Sequence, residues 1–366
     1  MADLNLHRMS TQLPPPGPRS VGVSLVDELA LVETFVEEGH LVEAVDLLAE
    51  VNRHRRDPAF EVQLVSLRAR AAAAYETSVG RSPWPPPYVD PFPDVVGRIP
   101  EIPAPQLTSE ILGGAVANHG GLIVRGVFSG AQVARSVEVI EAAHGHRERS
   151  ESAASEVVRD VEQEAWYRPL TTDRPKKDEA LRQNVANQGG TWLADSPTAT
   201  AQILTELAQA GVIPAIAGHL GERPFFSLQK STLRRSLPVY NLVAWHQDGS
   251  FLDPAVRTMN VWVALSRCGA DHPTPGLEFV PTRIPEVLPV DGVMSPHSIS
   301  YELVAEIAAR CPTVIPEFAP GDAIMFDERC LHRTHLSEGM TEIRYALECW
   351  FFAPSHRSPN YTPLLV

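Results

Sequence analysis

The spacing of hydrophobic residues changes along the chain and divides it into two regions. Between residues 23 and 80, apolar residues recur at helical spacing in three runs, and the third run follows Asp57 and Pro58, a pair typical of a helix start. From about Pro224 onward, the apolar residues fall instead in short β-rich runs separated by proline and glycine. The pattern predicts three N-terminal helices followed by a domain built mainly on β-strands.

A proline-rich stretch lies between these regions. Residues 82–105 contain nine prolines, and proline can neither continue a helix nor occupy a central strand. We therefore predict a stiff, extended connection here. The predicted parts of the chain are a flexible N-terminus (1–22), a helical segment that loosely resembles a tetratricopeptide hairpin plus one helix (23–80), a proline-rich linker (81–106) and a second domain (107–366).

The β-rich runs of the second domain are short and close together. Repeated short strands without crossover helices favour an antiparallel sandwich or barrel over a parallel sheet. The runs are FFSLQKSTL, YNLVAWHQD, TMNVWVALS, GLEFVP, DAIMFD and RYALECWFF.

Composition narrows the range of partners. The 366 residues are 44% hydrophobic, enough to bury a substantial core, and 31 basic against 45 acidic residues give a net charge of -14. That charge would repel nucleic-acid phosphates and anionic lipids, so we expect neither nucleic-acid nor membrane partners. The cysteines Cys268, Cys311, Cys330 and Cys349 form no CxxC pair, and no signal peptide or membrane-spanning run is evident. We expect a cytoplasmic protein with free thiols.

The run YNLVAWHQDGSF ends in two residues of metal-binding type, His246 and Asp248. Alternate residues of a strand share a face, so these side chains are predicted to project together while Gln247 points away. A third ligand must come from another strand, and the segment GDAIMFDERCLHRTHL supplies His332. Two histidines and one carboxylate are the ligand set of non-haem Fe(II) oxygenases. Zinc hydrolysis with the same ligand types is the competing chemistry, although the chain has no HExxH motif.

Five segments, taken in order, resemble the phytanoyl-CoA dioxygenase-like family of Fe(II)/2-oxoglutarate oxygenases: AWHQDGSF, NVWVALSRC, PGLEFVP, GDAIMFDERCLHRT and RYALECWFF. The resemblance covers about residues 110–354 and is most specific from Gln229 onward. It implies a double-stranded β-helix core of the jelly-roll, cupin-like type, so the expected fold class is mainly β with helices, preceded by an N-terminal helical segment. The loop PGLEFVPTRIPE departs from the family pattern, so the resemblance does not extend to a substrate.

The resemblance also implies roles for individual residues. Arg344 and Thr334 correspond to the groups that hold the far carboxylate of 2-oxoglutarate, Gln229 to a residue of the cosubstrate pocket, and Trp262 to a wall of that pocket. An arginine suits the first role because its guanidinium can bind a carboxylate bidentately. Trp262 is equally well explained as an ordinary core residue.

The implied activity is that of an Fe(II)- and 2-oxoglutarate-dependent dioxygenase. His246, Asp248 and His332 are the implied iron ligands. Such an enzyme oxidises a C–H bond of a small molecule with dioxygen and forms succinate and CO2, and hydroxylation is its simplest outcome. Halogenating relatives have a small residue at the carboxylate position, so Asp248 argues against halogenation.

Two alternatives stay open from the sequence. The second domain could be an inactive jelly-roll scaffold, with the helical segment available for a protein partner or for self-association. It could also be a cupin-like metalloprotein that does not use 2-oxoglutarate, and Arg344 argues against this reading.

Five arginines near the motifs are candidates for contact with an anionic substrate, although arginines at strand ends are more often solvated or paired. They are Arg234, Arg235, Arg257, Arg329 and Arg333.

Overall fold

The computed structural model describes residues 25–75, 77, 84–152, 160–238, 244–252 and 255–366. The flexible N-terminus predicted for residues 1–22 lies outside them. The helices are α1 (Leu25–Glu38), α2 (Leu41–Arg55), α3 (Pro58–Ala74), α4 (Ser109–His119), α5 (Gly130–Ser152), α6 (Val161–Trp166), α7 (Pro175–Asn187), α8 (Pro197–Gln209), α9 (Val212–Leu220) and α10 (Tyr301–Ala308). The first three confirm the predicted N-terminal helices.

The strands form one large sheet and one small sheet. They are β1 (Glu101–Pro103), β2 (Leu122–Arg125), β3 (Gly190–Trp192), β4 (Phe225–Ser227), β5 (Thr232–Ser236), β6 (Thr258–Ala264), β7 (Gly276–Phe279), β8 (Ala323–Phe326), β9 (His332–His335), β10 (Arg344–Phe352) and β11 (Pro363–Leu365). Neighbours in the large sheet follow the order β1-β2-β8-β6-β10-β4-β11, and β5 joins β10 to β3, while β7 and β9 pair separately. All pairings among these strands are antiparallel except that of β1 with β2. The predicted fold class, a jelly-roll core with helices and an N-terminal helical segment, is confirmed.

Strand β10 is the centre of the large sheet. It pairs with β6 along one edge and with β5 and β4 along the other. Its sequence RYALECWFF is rich in aromatic and apolar residues, which suits a strand that is buried on both faces. The polar residues within it therefore need partners in the interior of the protein.

Helix α3 packs on strand β11 of this sheet, and helices α1 to α3 form an apolar cluster with residues of β4 and β11. Leu48 and Leu67 lie in one apolar cluster with Phe225 of β4 and Leu365 of β11. The buried guanidinium of Arg68 donates a hydrogen bond to the Leu365 carbonyl oxygen at 2.6 Å. The helical segment is thus attached to the domain through its core.

The structure describes the proline-rich segment from Trp84 onward. The segment contains no helix before a short 3-10 helix at its end, Ala104–Gln106. The hydroxyl of Tyr88 is hydrogen-bonded to His219 of α9 at 3.0 Å, and Asp90 is hydrogen-bonded to His119 of α4 at the same distance. The segment then forms β1. It therefore lies along the domain that it leads to.

No single helix among the described residues is long and apolar enough to cross a membrane. Helices α8 and α9 meet the length and composition criteria only when joined across a bend of 76°.

The shared core predicts cooperative unfolding. Leu67→Ala should lower the free energy of unfolding by about 2 to 5 kcal/mol, because it removes buried methyl groups from the contact between helices and sheet. Denaturant unfolding followed by fluorescence and by circular dichroism should give one common transition. The control is Val26→Ala on α1, where Val26 is 74% exposed; it should change the stability by less than about 0.5 kcal/mol. A separate early transition that alone responds to Leu67→Ala would show that the helices fold independently.

Candidate metal centre

The backbones of His246 and His332 bring their side chains together. Each residue donates its N–H to the carbonyl oxygen of the other at 3.0 Å, which forms an isolated antiparallel bridge. Residues directly opposite in such a pair present their side chains on the same face. The two imidazole centroids consequently lie 4.4 Å apart.

The predicted strand through residues 240–248 is wrong at its C-terminal end. Residues 240–243 lie outside the described part of the chain, and Asp248 begins a short 3-10 helix. The next residue, Gly249, donates its N–H to the Glu328 carbonyl oxygen at 2.8 Å, and a Cβ on Gly249 would lie only 3.0 Å from that oxygen. It would also meet Val287 Cγ2 at 2.7 Å, so a larger residue at this position would require its neighbours to shift.

The three candidate ligands converge in spite of this difference. Asp248 Oδ1 lies 3.6 Å from His246 Nε2 and 3.9 Å from His332 Nε2, and one ligand atom from each residue lies within 4.8 Å of the other two. Asn260 of β6 donates to the second carboxylate oxygen of Asp248 at 3.4 Å. Two nitrogens and one oxygen on one side of a common point are the donor set that suits non-haem Fe(II).

Hydrogen bonds to backbone carbonyls select the nitrogen that each imidazole presents. His246 Nδ1 lies 2.9 Å from the Ala244 carbonyl oxygen, and His332 Nδ1 lies 3.1 Å from that of Cys330. A carbonyl oxygen only accepts, so each Nδ1 carries the proton and each Nε2 keeps its lone pair. Burial also lowers the pKa of both histidines to about 4. Both rings are therefore neutral at pH 7, as metal binding requires.

Burial has the opposite effect on the carboxylate. It raises the pKa of Asp248 to about 7. A divalent cation would offset this effect, because it stabilises the ionised form of a nearby acid. The donor chemistry of the three residues therefore fits a divalent metal ion.

The three residues line a cavity of about 440 Å³, and Arg344 lines it as well. Arg344 is 5% exposed, and its Nη1 donates to the Gly276 carbonyl oxygen at 3.1 Å. Its buried Nε has no hydrogen-bond partner among the described residues. Burial lowers the pKa of Arg344 to about 10, so the guanidinium remains charged at pH 7. A buried cation with an unfilled donor fits an anionic ligand.

Thr334 and Trp262 line the same cavity. Thr334 follows His332 by two residues on β9, which places both side chains on one face of the strand. Trp262 of β6 packs edge-on against Phe318, with ring centroids 5.2 Å apart, and the guanidinium carbon of Arg344 lies 5.6 Å from the Trp262 ring. Trp262 therefore belongs both to the core and to the cavity wall.

Gln229 lines the cavity too, but its amide is already engaged. Its Nε2 donates to Asp178 of α7 at 3.2 Å and to the Thr362 hydroxyl at 3.0 Å, and its Oε1 accepts from the Thr362 N–H at 2.8 Å. These bonds tie α7 to the C-terminal segment. A direct contact with a cosubstrate stays a prediction.

An ion pair in the cavity wall was not anticipated from the sequence. Arg234 donates from Nε and Nη2 to Glu348 Oε2 at 3.0 and 2.8 Å, and the Thr232 hydroxyl donates to the same oxygen at 2.9 Å. Burial favours a higher pKa for Glu348, but the Arg234 charge and these hydrogen bonds outweigh it and hold the pKa at about 2. Strand alternation could have placed Glu348 on the same face as Arg344. Of the five arginines proposed from the sequence, Arg234 alone lines this cavity.

The sequence also gave no indication of an aromatic group at the Trp350 end of β10. Three aromatic residues, Phe251, Trp350 and Tyr361, line the cavity there, and Lys230 lines it beside them. They come from four separate segments, so no local pattern connects them.

Comparison with protein families gives one match. The profile of the phytanoyl-CoA dioxygenase (PhyH) family matches residues 116–340. This range includes His246, Asp248, His332 and Thr334 and ends before Arg344. A search of curated proteins gives no significant match.

A comparison with solved structures gives matches of low sequence identity. EctD from S. alaskensis, with 2-oxoglutarate and 5-hydroxyectoine, is 18% identical with a TM-score of 0.45, over 66% of this chain and 75% of EctD. AviO1 from Streptomyces viridochromogenes Tue57 is 18% identical with a TM-score of 0.40, over 68% and 94%. EvdO2 from Micromonospora carbonacea var. aurantiaca, complexed with 2-oxoglutarate, is 17% identical with a TM-score of 0.39, over 69% and 90%. Similarity at this level carries no argument about activity.

Strand β9 carries two histidines, and the geometry assigns only His332 to the metal centre. His332→Ala should abolish stoichiometric Fe(II) binding, because it removes a nitrogen ligand from the three-residue set. The control is His335→Ala on the same strand, since His335 is not among the cavity-lining residues. It should bind iron like the unmodified protein. Anaerobic Fe(II) titration with measurement of bound iron provides the test, and the reverse result would move the metal centre to the other face of β9.

Proposed function

Because the chain belongs to the phytanoyl-CoA dioxygenase (PhyH) family, whose profile matches more than half of it, we propose that it is an Fe(II)- and 2-oxoglutarate-dependent dioxygenase that hydroxylates an unactivated C–H bond of a small molecule. Family membership supports a dioxygenase-type enzyme. The reaction and the residues that carry it are inferred from the site, and the family name does not imply an acyl-CoA substrate.

The observation that carries the proposal is the combination of two features in one cavity. His246, Asp248 and His332 offer two neutral nitrogens and one carboxylate, while Arg344 is buried with an unfilled donor. A zinc hydrolase would need the first feature but not the second. The buried guanidinium instead suits a dicarboxylate cosubstrate that reaches from the metal to Arg344.

The bound iron and 2-oxoglutarate supply the oxidising chemistry, in which dioxygen, 2-oxoglutarate and a C–H bond become succinate, CO2 and an alcohol. The chain's own residues provide binding and orientation. The carbonyl oxygens of Ala244 and Cys330 hold the protons on Nδ1 of the two histidines, so that both Nε2 lone pairs face the metal. Asn260 orients the Asp248 carboxylate through its second oxygen.

The pairing of β10 with β6 separates the metal from the carboxylate-binding group. Trp350 of β10 lies opposite Asn260, the residue that contacts Asp248. Arg344 lies six residues away on the same face of β10, which corresponds to about 20 Å along the strand. A bound dicarboxylate would lie between the Arg344 guanidinium and the metal ligands in this shared cavity. Trp262 and Phe326 line it with apolar surface that excludes water.

Anaerobic calorimetry followed by aerobic turnover tests the proposed function. We expect 2-oxoglutarate to bind in the presence of Fe(II) and much more weakly without it. On admission of air, the complex should slowly form succinate even without a substrate. Absence of iron-dependent 2-oxoglutarate binding would contradict the proposal and favour the inactive scaffold.

Arg344→Ala should retain Fe(II) but weaken 2-oxoglutarate binding. Loss of a charge-assisted contact in a buried pocket costs about 2 to 5 kcal/mol, which raises the dissociation constant at least about thirtyfold. The control is Arg333→Ala, because Arg333 on the neighbouring β9 is paired with Glu278 and is not a cavity-lining residue. The measurement is the dissociation constant of 2-oxoglutarate for each Fe(II)-loaded variant under anaerobic conditions. Equal affinity in both variants would remove Arg344 from the cosubstrate site.

A further inference from the structure

Lys230 lies at the end of the cavity away from Arg344. Its Nζ is 3.7 Å from the ring centroid of Phe251, 5.4 Å from that of Tyr361 and 5.6 Å from that of Trp350. Trp350 and Arg344 lie six residues apart on one face of β10, about 20 Å along the strand. Lys230 and Arg344 therefore line the same cavity at different positions along β10.

Three aromatic rings surround the ammonium group of Lys230. Within the described residues it makes cation–π contacts, but none of its three N–H donors forms a hydrogen bond or an ion pair. Aromatic faces attract a cation without accepting conventional hydrogen bonds from it. The group is held in position while its donors remain available.

Two carboxylates act on Lys230 electrostatically, and both have other partners. Asp248 belongs to the candidate metal centre, and Glu348 already accepts hydrogen bonds from Arg234 and Thr232. The Arg234 guanidinium, the other charged group acting on Lys230, repels it. With a divalent metal on Asp248, this end of the cavity has an excess of positive charge.

Lysine is rare in this protein, which makes its position informative. The chain has 31 basic residues but only three lysines, Lys176, Lys177 and Lys230, so arginine fills the other 28 positions. A guanidinium is a planar fork that suits bidentate pairing, whereas an ammonium is a compact point charge. The compact group fits among three aromatic rings and leaves room for an incoming anion.

We propose that Lys230 recognises the substrate by binding an oxyanion on it, a carboxylate or a phosphate. The apolar part of the substrate would pack against Phe251, Trp350 and Tyr361, and its reacting C–H bond would lie near the metal ligands. A cavity of about 440 Å³ that also holds the cosubstrate has room for a small metabolite. This inference rests on the proposed function, because it takes the Lys230 end as the substrate end.

The scarcity of lysine provides a direct test. The full-length protein, loaded anaerobically with Fe(II) and 2-oxoglutarate, is reductively methylated with formaldehyde and a borane, and the modification rate of each lysine is read by peptide mass spectrometry. Acetate and inorganic phosphate are the two probes, at constant ionic strength. At a probe concentration ten times its dissociation constant, labelling of Lys230 should fall about tenfold by mass action. Labelling of Lys176 on α7, which is exposed and is not a cavity-lining residue, should not change.

Comparison of the two probes distinguishes a carboxylate from a phosphate, because the preferred anion should slow the labelling of Lys230 at the lower concentration. Unchanged labelling of Lys230, or equal slowing of Lys230 and Lys176, would overturn the proposal. Absence of Lys230 labelling without any probe would also overturn it, because an ammonium group that the reagent cannot reach is inaccessible to a substrate. If 2-oxoglutarate alone protects Lys230 fully, the lysine belongs to the cosubstrate site and the proposal also fails.

A pair of variants separates this inference from the proposed function. Lys230→Met should bind Fe(II) and 2-oxoglutarate with affinities within about twofold of those of the control Lys176→Met, which changes an exposed residue of α7 outside the cavity lining. Loss of either ligand in Lys230→Met alone would place Lys230 in the metal or cosubstrate site and contradict the proposal. Failure of the unmodified protein to bind 2-oxoglutarate with iron would instead contradict the proposed function, whatever the labelling shows.

Discussion

The reciprocal backbone hydrogen bonds between His246 and His332 are the constraint on which the site depends. They join a segment near the middle of the chain to β9, and they fix the two imidazole rings 4.4 Å apart before any metal is considered. The carboxylate then needs only a short turn to reach them, and Gly249 permits that turn by its close approach to Glu328. The geometry of the metal ligands is therefore determined largely by the backbone.

The buried charges of the cavity follow from the same architecture. A central strand buried on both faces can keep charged residues only where they find partners. Glu348 of β10 has such partners in Arg234 and Thr232. Among the described residues, Arg344 on the same strand has one backbone hydrogen bond and an unfilled donor, and Lys230 has cation–π contacts but no hydrogen bond or ion pair. Arg344 and Lys230 therefore line the cavity with donors available for the anionic ligands that the proposed chemistry requires.

Sequence patterns were informative where a local rule determines the structure. Helices α1 to α3 and strands such as β10 follow from periodicity, and the parity of β9 places His332 and Thr334 on one face. Three features escaped prediction, and one of them is the ion pair of Arg234 with Glu348. The turn at Asp248 was missed because an HxD spacing looks the same in a strand and at the start of a turn. The aromatic surroundings of Lys230 were missed because Phe251 and Tyr361 come from distant segments that only tertiary packing brings together.

The central claim is that one cavity holds the metal at the three-residue centre and the cosubstrate between that metal and Arg344. A crystal structure of the protein prepared anaerobically with Fe(II) and 2-oxoglutarate, with anomalous data at the iron edge, tests this most directly. We expect an anomalous iron peak within bonding distance of His246 Nε2, His332 Nε2 and an Asp248 oxygen, and the far carboxylate of 2-oxoglutarate in contact with Arg344. Iron at another position, or a cosubstrate whose far carboxylate lies on Lys230, would contradict it.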